Sequence, residues 1–112
     1  MTSLAVRSTR SGDRAVLSVS GELAEYGIAE LTTPALEALA DRSVRVVVVD
    51  LAGVTFLDST GIGELVSLHA TAGDVGARLV LRNPTERVLQ VLRLIKMDRV
   101  FTIDPTPGRA EP

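Results

Sequence analysis

The chain contains no cysteine, so disulfides and thiol chemistry are excluded. It has no tryptophan, one tyrosine and two phenylalanines, so its core must be aliphatic. His69 is the only histidine and Lys96 the only lysine; the other basic residues are arginine. Neither sign of charge dominates, with a net charge of −2 and acids and bases interspersed. No basic stripe is visible, so direct contact with nucleic acid is not expected. The N-terminal stretch MTSLAVRSTRSGDR has no apolar signal core. No apolar run approaches the roughly 20 residues of a membrane helix. A cytoplasmic location without membrane contact is the expectation.

What is present suffices for one core. The length of 112 residues, 46% of them apolar, predicts one folded domain. Leu4–Ser8 reads as extended, Gly12-Asp13 as a turn, and Arg14–Ser20 as a strand with an apolar face at Ala15, Leu17 and Val19. Gly21-Glu22-Leu23 ends that hairpin. Residues 28–40 carry helical spacing at Ile28, Leu31, Ala35, Leu36 and Leu39. Pro34 predicts either a kink or a start near Thr33 with the proline in the first turn. Val44–Leu51 looks like a central strand covered on both faces.

Thr60–Thr71 predicts a helix with Ile62, Leu65, Val66, His69 and Ala72 on its buried stripe. Arg78–Leu81 is a strand. Asn83 reads as the N-cap of the next helix, with Pro84 in its first position and Val88, Val91, Leu92 and Ile95 buried. Leu89 and Leu94 fall off that stripe, at the core edge or on a contact surface. Val100–Ile103 is a last strand. The order β-β-α-β-α-β-α-β predicts an α/β domain over residues 1–104, a mixed and mostly parallel sheet with helices packed on it. Residues 105–112 hold Pro105, Pro107 and Pro112 and read as a flexible tail.

The chemistry concentrates where the most apolar run, Val46–Leu57, meets Asp58-Ser59-Thr60-Gly61-Ile62-Gly63. A strand aimed at a hydroxyl-rich helix start holds phosphate readily. Four uses of this turn compete. Nucleophilic catalysis needs a base within hydrogen-bond reach, but His69 lies about 15 Å along the same helix at 1.5 Å per residue. The G-x-S-x-G elbow is also absent. Phosphoryl acceptance by Asp58, as in a receiver domain, lacks an acidic pair at a strand end and a lysine after a late strand. A nucleotide loop lacks G-K-[ST], since Gly61 and Gly63 sit too near the helix start. The fourth use is as a substrate of a partner kinase, with Thr60 the alternative acceptor.

Residues 48–63, VVDLAGVTFLDSTGIG, closely resemble the signature of the bacterial anti-sigma factor antagonists of the STAS-domain family. Gly21-Glu22-Leu23 is similar to that family's turn after the second strand, and Arg99-Val100-Phe101 to its late strand. The resemblance spans about residues 4 to 104. It implies a STAS-like domain that is not an enzyme and needs no cofactor or metal. It implies that Ser59 is phosphorylated by an anti-sigma factor that is a serine protein kinase. The unphosphorylated form would bind that anti-sigma factor and release a sigma factor; a serine phosphatase would restore it. The implied partner-binding residues are Asp58, Ser59, Thr60, Gly61, Ile62 and Gly63, with Glu25 and Tyr26 from the loop after Leu23. The alternative is a STAS domain that is not phosphorylated and binds a ligand or nucleotide, or scaffolds an assembly.

The chain departs from the family at three places. Ala24 stands where the family commonly has Asp, and Gly27 where it commonly has Thr. Thr32-Thr33-Pro34-Ala35-Leu36 resembles the family's helix start, which would require a longer preceding loop. The family usually ends in another amphipathic helix, which the run from Asp104 to Gly108 forbids in regular form.

Overall fold

The computed structural model describes residues 3–104, so the tail expected at 105–112 lies outside the described residues. The elements are β1 (Ala5–Ser11), β2 (Arg14–Leu23), α1 (Ala29–Ala40), β3 (Val46–Leu57), α2 (Ser59–Asp74), β4 (Arg78–Arg82), α3 (Glu86–Leu94) and β5 (Thr102–Asp104), with a 3-10 turn at Met97–Arg99. The five strands form one sheet in the order β1-β2-β3-β4-β5. The first pair is an antiparallel hairpin through Gly12-Asp13, and β2, β3, β4 and β5 run parallel. This is the expected α/β order. Every strand differs at an end from the sequence reading: β1 runs to Ser11 rather than Ser8, β2 to Leu23 rather than Ser20, β4 to Arg82 rather than Leu81, β3 spans Val46–Leu57 rather than Val44–Leu51, and β5 Thr102–Asp104 rather than Val100–Ile103.

Each parallel step needs a crossover, and crossovers are right-handed almost without exception. Three in a row, all advancing across the sheet in one direction, put their helices on one face. Leu31, Ala35 and Leu39 of α1, Leu65, Leu68 and Ala72 of α2, and Val88 and Leu92 of α3 share a single cluster with Leu17, Val19, Val47, Val49, Leu79 and Leu81. Val46, Val48 and Val80 form a separate cluster, with Val16 packed against it. Strand β3 is buried on both faces over Val46–Val49, as expected, but the helices do not cover both. Among the described residues they cover one. The continuous apolar run arises because Val16, Val48 and Val80 lie side by side in register across three strands of the other face.

The structure decides between the two starts left open for α1 and moves the start of α3. Helix α1 begins at Ala29, so Pro34 lies inside it and beyond the first turn. An interior proline costs about 3 kcal/mol. Burial of Leu31 and Leu39, worth about 1.5–3 kcal/mol each, outweighs it. The N-cap of α3 is Thr85, whose Oγ1 accepts the Val88 N–H at 3.2 Å. Asn83 cannot cap because it is committed elsewhere. Its backbone is left-handed at φ 55. Its N–H donates to the Asp104 carbonyl at 3.2 Å. Its Nδ2 donates to Asp50 Oδ2 at 3.1 Å. In α3 only Val88 and Leu92 are fully buried; Val91 is half-buried and Ile95 exposed.

Strand β3 changes character at Asp50. Val46–Asp50 pairs residue for residue with both neighbours. Beyond it, Ser18 pairs with Asp50 but Ser20 with Gly53, and Gly21 pairs with Val54 but Glu22 with Phe56. At each step β3 inserts one extra residue, which is a β-bulge. The inward residues therefore come every third position, at Leu51, Val54 and Leu57, while Ala52, Gly53, Thr55 and Phe56 are exposed. The backbones close in at the first bulge, where a Cβ on Gly53 would lie 2.8 Å from the Ser20 Cβ.

Candidate functional site

The site is built where the bulged half of β3 ends. Leu57 pairs with Leu23 of β2, and both are buried. Asp58 is extended at φ −108 and ψ −174, which stops the strand and opens the helix. Its N–H donates to the Leu23 carbonyl at 3.4 Å. Its Oδ1 accepts the Gly61 N–H at 2.9 Å, and its carbonyl accepts the Ile62 N–H at 2.9 Å. Such a cap contributes about 1 kcal/mol. Ser59 is the first residue of α2, exposed, and its hydroxyl has no hydrogen-bond partner among the described residues. Thr60 beside it is exposed as well. A helix start leaves its first N–H groups without intrahelical partners, so this end favours an added negative charge.

The next two glycines have different reasons to be there. A Cβ on Gly61 would lie 2.1 Å from the Leu23 carbonyl oxygen and 2.9 Å from Leu57 Cδ1. Only glycine lets α2 start against the ends of β2 and β3. A Cβ on Gly63 would meet nothing within 4 Å. Ile62 between them is half-buried against the core.

The loop after Leu23 shares this end of the sheet, because the Leu23 carbonyl touches both Asp58 and the Gly61 backbone. Ala24 is half-buried and Glu25 exposed, and Tyr26 is 78% exposed. Gly27 has φ +84, a region that a β-branched residue avoids. A threonine at this position would be strained. The structure brings Glu25 and Tyr26 to the same end as Asp58–Gly63.

His69 is not brought to Ser59. It lies farther along α2, half-buried, with its ring edge-on to Phe101 at 5.7 Å. The predicted stripe of α2 is shifted. Gly61, Leu65, Leu68 and Ala72 are buried, and Val66 faces outward. Sequence reasoning missed the polar cluster that precedes the bulges. Asp50 Oδ2 accepts from Arg82 Nε and from Asn83 Nδ2 at 3.1 Å each, and Oδ1 accepts the Ala52 N–H at 2.9 Å. A carboxylate within an aliphatic run was its one visible signal. Exposed Phe56 was missed also, and alternation carried past Asp50 gives the wrong face for Val54, which is buried.

The family model described as "Mlab, STAS domain" matches residues 6–103. A crystal structure of an anti-sigma factor antagonist from Mycobacterium paratuberculosis is 28% identical, with TM-score 0.77, covering 93% of this chain and 87% of that one. The anti-sigma factor antagonist SpoIIAA in its unphosphorylated form is 19% identical, with TM-score 0.74, covering 89% of this chain and 88% of that one. The Bacillus SpoIIAA in its phosphorylated form is 18% identical, with TM-score 0.70, covering 89% and 91%.

Proposed function

The chain belongs to the STAS domain family, and on that premise we propose that it is an anti-sigma factor antagonist switched by phosphorylation of Ser59. The observation that carries this reading is the exposed, unpartnered hydroxyl at the first position of α2, behind the Asp58 cap. Support comes from SpoIIAA, whose two phosphorylation states both share the present fold. The unphosphorylated chain binds an anti-sigma factor that is also a serine kinase, and so frees a sigma factor. The contact uses Asp58–Gly63 together with Glu25 and Tyr26. In the kinase reaction the Ser59 Oγ attacks the γ-phosphorus of the partner's Mg-ATP. The Oγ–P bond forms, the bond from the γ-phosphorus to the β–γ bridging oxygen breaks, ADP leaves, and the hydroxyl proton passes to a base of the kinase. A serine phosphatase reverses the state by hydrolysis.

Phosphate adds about −1.5 to −2 charges, which a helix N-terminus accommodates. The fold therefore need not open for the switch to act. The dianion instead blocks a flush interface and repels nucleotide phosphates in the partner. The test is to incubate the protein with each purified anti-sigma factor kinase of its own genome and Mg-ATP, and to locate phosphate by mass spectrometry. Acid-stable phosphate on Ser59 is expected, and Ser59→Glu should lose binding of the same partner. Wild-type affinity in Ser59→Glu would sink the proposal.

A second reading has its own support. The matching family model is described by Mlab rather than by the antagonists, and Ala24 and Gly27 alter the loop beside Ser59. On that reading the domain is a scaffolding or ligand-binding module that is not phosphorylated. A tight complex that forms without phosphate on Ser59 in the same assay favours it.

A further inference from the structure

Strand β3 takes seven steps from Asp50 to Leu57, where β2 takes five from Ser18 to Leu23. The two bulges absorb the difference. At about 3.3 Å per residue, an unbulged β3 would carry Asp58 and Ser59 roughly 7 Å farther past the end of β2. The Asp58 N–H would then miss the Leu23 carbonyl, and Gly61 would not lie against it. The bulges therefore set where Ser59 stands at this end of the sheet. What holds them bears on function if Ser59 is the phosphoacceptor, as proposed above.

Each bulge is held by one side chain. The first lies between Asp50 and Gly53, and there the Ala52 N–H donates to Asp50 Oδ1 at 2.9 Å. A bulge disrupts the ladder locally, and the carboxylate supplies an acceptor at that point. The same carboxylate is fixed from the other side, where Oδ2 accepts from Arg82 Nε and Asn83 Nδ2. In the second bulge Thr55 is itself the inserted residue, between Val54 opposite Gly21 and Phe56 opposite Glu22. Its Oγ1 donates to the Gly21 carbonyl at 3.3 Å. Register is ordinarily pinned by alternation of apolar and polar residues. Ala52, Gly53, Thr55 and Phe56 are all exposed, so alternation gives little guidance here and the two polar bonds take its place.

We propose that Asp50 and Thr55 are positioning residues for phosphoryl transfer at Ser59. They fix the register of the bulged half of β3, and through it the placement of the Ser59 hydroxyl in a kinase active site. Neither touches the reacting atoms. A reacting group misplaced by about 1 Å can lose about a hundredfold in rate, and a slip of one residue is about three times that distance. Arg82 and Asn83, at the end of β4, act on Ser59 through Asp50.

The test uses the full chain, the anti-sigma factor kinase that phosphorylates it and Mg-ATP, at a temperature where circular dichroism shows each variant folded. Thr55→Val removes the hydroxyl at an exposed position and keeps the shape. It should lower kcat for Ser59 at least about fivefold with KM little changed, and Thr55→Ser should restore kcat. Asp50→Ala should lower kcat at least about tenfold. Val49→Ala is the control, since it weakens the regular half of β3 and leaves both bulges alone. A role in stability alone would give the Asp50 and Thr55 variants the same unchanged kcat as this control. Amide NMR signals of Asp58–Ile62 should shift in Thr55→Val and stay in place in Thr55→Ser and Val49→Ala. Wild-type kcat in folded Thr55→Val and Asp50→Ala overturns the proposal, as do amide signals that do not move. If Asp50→Ala fails to fold, Thr55→Val decides alone. If the wild type itself takes no phosphate on Ser59 from any anti-sigma factor kinase, the reading beneath the inference fails instead, and the amide signals alone decide whether these side chains hold the register.

Discussion

The two halves of β3 are built from similar residues and do different work. Val46–Asp50 pairs without interruption on both sides and alternates cleanly between the two faces. Leu51–Leu57 carries two bulges, turns every third residue inward, and delivers the chain to Asp58. The first half is held by side-chain burial. The second is held by close backbone approach at Gly53, by the Asp50 hydrogen bonds, and by Gly61 against Leu23. Substitutions in the first half should lower stability and leave the site intact, whereas substitutions in and after the second half should disturb both.

The largest effect is expected from Gly61→Ala, since the new Cβ would strike backbone that cannot swing aside. We expect a loss of at least about 3 kcal/mol in urea unfolding, accompanied by loss of anti-sigma factor binding. Val49→Ala removes two buried carbons from the regular half and should cost about 2 kcal/mol. Phosphorylation of the surviving folded protein should be unchanged, and a slowed reaction would blur the division between the halves. Gly53→Ala should cost about 1.5 kcal/mol, because the Ser20 Cβ must give way by several tenths of an ångström. It should also shift amide signals from Val54 to Ser59, which Val49→Ala should not.

Asp58→Ala should cost about 1 kcal/mol as a lost cap, while Asp58→Asn keeps the acceptor and the stability. If both variants lose partner affinity, the carboxylate itself is a contact. The smallest effect lies at the opposite end of β3. The Asp41 carboxyl is lowered to about 2, chiefly by hydrogen bonds from the Ser43 hydroxyl and backbone N–H and then by Arg10. A carboxyl whose pKa is depressed in the folded state adds stability above its unfolded value of 3.8, and that addition disappears as pH falls toward 2. Acid titration of stability should therefore be slightly flatter between about pH 4 and 2 in Asp41→Asn, with no change in Ser59 phosphorylation.

Much of this was legible in the residues. The strand and helix order, the aliphatic core, the Asp58–Ser59 junction and the remoteness of His69 follow from periodicity and spacing, which are local properties. The departures all came from contacts between distant segments. Thr85 replaces Asn83 as cap because Asp50 and Asp104 claim Asn83 from other strands. Helix α1 runs through Pro34 because leucines buried against the sheet offset its cost. Val66 faces outward because α2 is rotated until Gly61 meets the Leu23 carbonyl, a contact that no spacing within α2 reveals.

The order of residues was enough to set the elements, their succession, and the hydroxyl that opens α2. Those follow from apolar period, turn residues and the steric limits of single residues. Which face the helices cover, where β3 bulges, and why Gly61 and Gly63 are not equivalent were settled only in three dimensions. Each of those depends on how closely two backbones far apart in the chain approach, and a one-dimensional pattern does not carry that distance.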